Sequence, residues 1–180
     1  METLNTFSSW LSQLGGEADA LCRLVEQEEL PMAARRVGAE SLNHLLCSVD
    51  LIPEGLETLG HLEDTFAFRV LAQQALQAEP ELAAADASGT LGRLAGEAEV
   101  LAEFLGAEDH ARFRQLVLER LRRVPGRQVQ DLLTPGEAQR AALGEARSWS
   151  QSYRAPSFGS GEQDLVKLRA FLRTRLRRPS

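Results

Sequence analysis

Apolar residues recur at helical spacing along most of the chain. The segments 4–14, 32–47, 61–78, 90–105 and 107–124 each carry leucine, valine or phenylalanine at intervals of three or four residues, with polar residues between them. No segment alternates apolar and polar residues in the way that is typical of a strand. The pattern therefore predicts an all-α fold, a helical bundle of about six to eight helices.

Residues that start or stop helices predict where these segments are bounded. Gly15 and Gly16 interrupt the first apolar run and predict a break between two helices. Ser88 or Thr90 is expected to cap the helix that begins near residue 90. Residues 134–137, TPGE, place a cap residue, a proline and a glutamate in the order that starts a helix, so Thr134 is expected to cap a helix that runs to about residue 150.

Composition along the chain suggests four segments. Residues 1–80 are expected to form a first helical domain and residues 81–151 a helical extension packed on it. Residues 152–161, which contain three serines and two glycines, are expected to form a loop. Residues 162–180 predict a basic amphipathic C-terminal helix.

Composition also narrows the class of protein. The chain of 180 residues is 43% hydrophobic and carries a net charge of −6, which is ordinary for a globular protein and disfavours binding of nucleic acid over the whole surface. Its two cysteines, Cys22 and Cys47, do not form a disulfide framework. We find neither the pattern of a signal peptide nor about 18 consecutive apolar residues, so a cytoplasmic protein is expected.

The most distinctive stretch is SVDLIPEGLETLGHLED, residues 48–64, which places acids, a proline, two glycines and a histidine between two apolar segments. Pro53 suits the first turn of a short helix. The Asp50 carboxylate can accept hydrogen bonds from the exposed N–H groups at the start of that helix. Gly60 is expected to end the helix with its backbone in the left-handed region. Glu63 and Asp64 are then expected in the first turn of the next helix, near the positive end of its dipole. We therefore interpret this stretch as a corner between helices that is stabilised by its own acidic side chains. Its candidate binding residues are Asp50, Pro53, Glu54, Gly60, His61, Glu63 and Asp64.

The same stretch resembles a known family. LLCSVDLIPEGLETLGHLED is similar to the signature of the YkvA-like family of small bacterial domains of unknown function, in which sPiDLIPDfiPvLGylDD lies between two helices. Here Glu54 replaces an aspartate of that pattern, and Glu63 and Asp64 stand for its acidic pair. The resemblance covers about residues 17–80, so the first helical domain, residues 1–80, is expected to be YkvA-like. It implies no known reaction. Many relatives look membrane-associated, but the polar flanks of this chain do not favour that property here.

Two chemical alternatives remain for this region. Asp50, Glu54, His61, Glu63 and Asp64 could supply oxygen and imidazole ligands to a metal ion, although their spacing is not that of a recognised motif. His44 and Cys47 share a helix face and could in principle activate a thiolate, but an apolar setting favours a core cysteine. A pair of carboxylates such as Asp50 and Asp64 could act as acid and base only in a pocket that separates their pKa values. We expect no cofactor.

The C-terminal segment DLVKLRAFLRTRLRRPS differs from the rest of the chain because no acid follows Asp164. Its leucines form one helical stripe: Leu165, Leu168, Leu172 and Leu176. The residues that could contact a partner or a membrane are Lys167, Arg169, Phe171, Arg173, Arg175, Arg177 and Arg178. Such a helix can pack on its own acidic body, lie on an anionic membrane surface or bind a partner protein. Nucleic acid is disfavoured because no stacking aromatic residues accompany the arginines.

The sequence therefore favours a non-enzymatic interaction or scaffold protein whose partner is another protein. One alternative is a peripheral membrane protein that binds anionic lipid through the basic C-terminal helix. The other is a metal-dependent enzyme that uses the acidic motif.

Overall fold

The computed structural model describes residues 2–46, 57–123, 128–157 and 162–176. The helices, in chain order, are α1 (Glu2–Glu26), α2 (Met32–Leu46), α3 (Glu57–Ala78), α4 (Leu82–Ala85), α5 (Thr90–Leu105), α6 (Ala107–Arg123), α7 (Val129–Leu133), α8 (Glu137–Ser152) and α9 (Glu162–Leu176). These described residues contain nine helices and no strand, and α4 and α7 are single turns. The predicted all-α fold is confirmed.

The first helix runs without a break through Gly15 and Gly16, so the predicted interruption was wrong. Gly15 is buried against α8, and a Cβ atom there would lie 3.1 Å from the carbonyl oxygen of Ser150 and 3.3 Å from the ring of Tyr153. Gly16 has open space around its Cα. Gly15 therefore permits close approach of two helices, and the apolar stripe of α1 continues past it.

The core lies where α1, α3, α5 and α6 meet. Phe7 of α1 packs against Phe66 of α3 and Phe104 of α5, with ring centroids 5.0 and 4.9 Å away. Phe66 in turn contacts Phe113 of α6 edge-on, at 6.2 Å. Aromatic pairs in tilted and edge-to-face geometry add to the stabilisation that comes from burying apolar area. Since these rings come from both halves of the chain, residues 1–80 and 81–151 share one core.

A buried ionic network crosses the same region. The Glu17 carboxylate of α1 accepts two hydrogen bonds from the guanidinium of Arg69, at 2.9 and 3.2 Å. Oε1 of Glu17 also accepts a hydrogen bond from Arg93 of α5 at 2.9 Å. A carboxylate oxygen of Glu97 lies 2.6 Å from the Arg69 guanidinium. Glu17 and Arg69 are 3% and 0% exposed. Burial of these charges is tolerated because each has an opposite charge in contact.

The turn before α5 is organised chiefly by Asp86. The residue at the N-cap is Gly89 and not Ser88 or Thr90 as predicted, although the Ser88 hydroxyl accepts a hydrogen bond from the N–H of Thr90 at 3.3 Å. The Asp86 carboxylate accepts hydrogen bonds from the backbone N–H of Leu91 at 2.8 Å and of Ser88 at 3.0 Å. Gly89 occupies the position before the helix with φ 69°. A carboxylate can bind an N–H of the first helical turn from further upstream when a glycine in the left-handed region bends the chain back.

The predicted cap at Thr134 was also wrong. Thr134 follows α7, where its N–H donates to the carbonyl of Gln130 at 3.0 Å, and α8 begins three residues later at Glu137. The short helix α7 was not predicted, and it begins where the Asp131 carboxylate accepts the N–H of Gln128 at 2.9 Å. The TPGE segment is therefore the connection between two helices.

The C-terminal helix α9 packs on the body of the protein along its leucine stripe. Leu168 and Leu172 are each 2% exposed, and Leu165 and Leu176 are partly buried against the core. Arg173 donates from Nε to a carboxylate oxygen of Asp109 on α6, at 2.8 Å. This is the first of the three arrangements considered from the sequence, in which the helix docks within its own chain.

Candidate functional site

The structure describes only part of the acidic motif. Asp50, Pro53 and Glu54 lie outside the described residues, as does Cys47. Gly60 lies within α3, which begins at Glu57, so it does not end a short helix as predicted. His61, Glu63 and Asp64 consequently lie in the second turn of α3 and not in its first, and the described acids make contacts other than the dipole contacts expected from the sequence.

Glu63 is directed into the protein, towards α2 and α6. Its side chain is 3% exposed, and Oε1 accepts a hydrogen bond from Arg120 of α6 at 3.0 Å. The same oxygen lies 3.9 Å from Nε2 of His44 on α2. Glu63 thus joins three helices, and the cation that it binds comes from 57 residues further along the chain.

Asp64 lies between two histidines. Its Oδ1 is 3.7 Å from Nε2 of His44, and its Oδ2 is 3.7 Å from Nδ1 of His61. We call His44, His61, Glu63, Asp64 and Arg120 the polar corner. Burial, and then the positive charge of Arg120, lower the pKa of His44 to about 4, in spite of the two nearby carboxylates. At neutral pH the His44 imidazole is neutral.

An aromatic stack covers the outer side of the polar corner. Trp149 of α8 stacks on Tyr153, the residue after that helix, with the two ring centroids 4.9 Å apart. The His61 ring meets the Tyr153 ring edge-on, with a centroid distance of 5.2 Å. The Tyr153 hydroxyl donates to the carbonyl of Leu11 at 3.0 Å. Burial and the charge of Asp64 raise the pKa of Tyr153 to about 12. Because Trp149 and Tyr153 stack on each other, these rings do not form an open cage around a cation.

The polar corner therefore joins α3 to α6 through the ion pair of Glu63 and Arg120, and it places the neutral His44 of α2 beside the two carboxylates of α3. Within residues 2–46, 57–123, 128–157 and 162–176, no group of three or more histidine, cysteine, aspartate or glutamate residues is placed to hold a metal ion. His44, which the sequence paired with Cys47, lies close to the two carboxylates of α3. Sequence reasoning missed Arg120, since nothing in the spacing of α6 points to a contact with α3.

The described basic residues of α9 differ in exposure: Lys167 and Arg173 are exposed, whereas Arg169 and Arg175 are partly buried. Two of them contact other helices, since Arg173 binds Asp109 of α6 and Arg169 lies against α5. The Arg169 guanidinium lies over the ring of Phe104 at 4.8 Å, and that of Arg175 over Phe171 at 5.4 Å. Lys167 lies 3.8 Å from Asp164, one turn earlier. Arg177 and Arg178 are outside the described residues. No described helix is both long enough and apolar enough to cross a bilayer.

A second candidate site is an open groove bounded by α2, α3, α6 and α7, which we call the α2/α3 groove. Its volume is about 950 Å³. The apolar residues that line it are Met32, Ala33, Val37, Leu71, Ala75, Ala78, Leu118, Leu121 and Val129, and the polar ones are Arg36, Glu40, Gln74, Glu79, Gln128 and Gln130. The groove thus presents nine apolar and six polar residues of the described part of the chain, and concave sites that bind ligands also combine apolar walls with polar groups.

Two polar side chains of the groove are unusual. Glu40 makes no hydrogen bond and no ion pair in the part of the chain that the structure describes, and burial raises its pKa although Arg36 acts in the opposite direction. Oε1 of Gln74 is buried and has no hydrogen-bond partner. The groove could not be predicted from the sequence, because Glu40 and Gln74 look like the ordinary polar flank of an amphipathic helix.

The chain matches no family model, no curated protein and no solved structure. The resemblance to the YkvA-like family accordingly stays a prediction.

Proposed function

We propose that this chain is a non-enzymatic interaction protein that binds a helical segment of another protein in the α2/α3 groove. The observation that carries the proposal is the groove itself, where four helices leave apolar side chains in contact with solvent beside polar groups that lack partners. The proposed binding takes place in the cytoplasm, the location that composition predicts.

The dimensions of the groove suit a short helix. It runs along α2 from Met32 to Glu40 and along α3 from Leu71 to Ala78, with Glu79 just beyond the end of that helix. Eight or nine residues of helix extend about 12–14 Å, so each wall presents roughly two helical turns. Met32, which is 52% exposed, lies at one end. Methionine adapts its shape to apolar partners, and an amphipathic helix in a groove is a common mode of recognition.

The other interpretations have less support from the contacts. The leucine stripe of α9, which would have to enter a lipid surface, is buried in the protein through Leu168 and Leu172. Binding of lipid by that stripe would require the helix to leave the body and break the contact between Arg173 and Asp109. The described carboxylates of the polar corner contact Arg120 and the two histidines.

The test is a comparison of two tryptophan variants as baits. Ala75→Trp places a large ring in the groove, and Ala141→Trp adds the same ring on the exposed face of α8. Both variants and the parent chain are first compared by circular dichroism and thermal unfolding, and folded proteins are then used for affinity purification from the native cell with mass spectrometry. We expect at least one protein to bind the parent and Ala141→Trp but not Ala75→Trp. If every captured protein also binds Ala75→Trp, or none is captured, the proposal is wrong.

A further inference from the structure

We infer that the α2/α3 groove recognises a lysine or arginine side chain on the partner's helical segment, with the Glu40 carboxylate and the Gln74 amide oxygen as its acceptors. This inference rests on the proposed function and specifies the chemistry of the partner.

The first support is the state of Glu40. It lies on α2 in the wall of the groove, partly buried, and no described side chain or backbone N–H donates to it. Arg36 is one turn earlier on the same helix and is exposed, but no contact between the two falls within the 4.0 Å of an ion pair. A partly buried carboxylate without a donor favours any ligand that brings a positive charge.

The second support is Gln74, on the opposite wall. Its Oε1 atom is withdrawn from solvent and has no donor. A buried acceptor without a partner destabilises the fold, because it has lost its hydrogen bonds to water and forms none with the protein. An ammonium or guanidinium group has three or more N–H donors, and both residues line the same groove, so one cationic head has enough donors for the two acceptors.

The balance of charge in the groove points the same way. Among the residues that the structure describes, the charged ones lining the groove are Glu40, Glu79 and Arg36, two acids and one base, so their net charge is −1. An acidic segment would face two carboxylates, whereas a basic one is attracted. The apolar residues beside Glu40, such as Val37 and Ala75, suit the methylene stem of lysine or arginine.

The chemistry can be tested without the partner by using three small probes with the same apolar tail. n-Octylammonium carries a cation, n-octanol a neutral hydroxyl and octanoate an anion. The two ionic probes are used below their micellar concentrations and octanol below its solubility limit. Each is titrated against ¹⁵N-labelled full-length protein, and shifts of the amide resonances of Val37, Ala75 and Val129 are followed. We expect octylammonium to bind about tenfold more tightly than octanol, since a charge-assisted hydrogen bond is worth about that factor. Octanoate is expected to bind more weakly than octanol.

Two glutamate variants make the result specific. Glu40→Gln should bring octylammonium to within about twofold of octanol, whereas Glu81→Gln, an exposed glutamate that does not line the groove, should keep the preference. The inference is wrong if the three probes bind equally, if none binds, or if Glu40→Gln keeps the full preference for the cation. If Ala75→Trp loses a partner that the parent and Ala141→Trp bind, but the probes show no preference, this inference is wrong and the proposed function stands. If the probes show the preference but Ala75→Trp binds every captured protein, the proposed function is wrong and the preference of the groove for a cation stands.

Discussion

The guanidinium of Arg69 lies over the indole ring of Trp10, with Cζ 4.0 Å from the ring centroid, in the middle of the hydrophobic core. The arginine is fully buried and the tryptophan is 2% exposed. Desolvation alone would make this an unfavourable position for a cation. The position is tolerated because the ring covers one side of the guanidinium and the carboxylates of Glu17 and Glu97 contact its N–H groups.

Replacing Arg69 by methionine should lower the free energy of unfolding by roughly 3–5 kcal/mol, since it leaves the buried carboxylate of Glu17 with fewer partners. The matched control is Arg23→Met, which removes an exposed arginine that pairs with Asp19 one turn away on the same helix. That change should cost about 0–1 kcal/mol. Urea unfolding followed by circular dichroism measures both, and equal losses would contradict a central role for the buried pair.

His44 should make the fold sensitive to mild acid. Its pKa in the folded chain, about 4, lies below the ordinary value of 6.5, so the unfolded chain takes up the proton first as the pH falls. The contribution of His44 to the free energy of unfolding should therefore be most favourable above pH 6.5 and fall by about 1.5 kcal/mol between pH 6.5 and pH 5. His44→Gln has no such proton to bind, and its stability should vary less over the same range. Parallel stability curves for the two proteins would show that His44 is not the cause.

Gly38 should not accept a methyl group. It lies where α2 crosses α1, and a Cβ there would be 2.9 Å from the carbonyl oxygen of Leu21 and 3.0 Å from a methyl of Val25. Gly38→Ala should cost about 1–3 kcal/mol because a helix backbone must shift. Gly16→Ala is the control, since that position in α1 is open and alanine favours a helix by about 0.5–1 kcal/mol. Thermal unfolding should move in opposite directions for the two variants, and a common direction would contradict the close crossing.

Asp86 should be the residue that fixes the start of α5. Asp86→Ala removes the acceptor of the Leu91 N–H and should cost about 1–2 kcal/mol. Asp86→Asn keeps one carbonyl oxygen and should cost less. Hydrogen exchange of the Leu91 amide gives the local measurement, and this amide should exchange faster in Asp86→Ala than in the parent. Unchanged exchange, or the same effect from Thr90→Val, would mean that the cap is elsewhere.

The helices were predictable because each buries a stripe of apolar side chains, and such a stripe is visible in the spacing of residues such as Leu62, Phe66 and Val70. The ends of the helices were less predictable. Gly15 looks the same in sequence whether it ends a helix or admits a neighbouring one, and only the position of Ser150 decides between the two. Thr134 likewise has the residue type of a cap, yet it follows α7.

The contacts of the polar corner could not have been derived from spacing, because they depend on which helices become neighbours. Glu63 and Arg120 are 57 residues apart, and neither has a neighbour in sequence that marks the pair. The α2/α3 groove is similar, since it is defined by what four helices leave uncovered. Sequence patterns report which side chains need burial, and they do not report which surfaces remain open.

The contact between the first helix and the eighth has a consequence for how the chain is made. Ser150 donates to the carbonyl of Gly15 and Tyr153 to that of Leu11, across 135 and 142 residues. On the ribosome, the N-terminal helix emerges long before the segment that covers it has been synthesised. Closure of such distant contacts is slow, so the growing polypeptide keeps an apolar flank open throughout most of translation, and this flank is where chaperones should engage it.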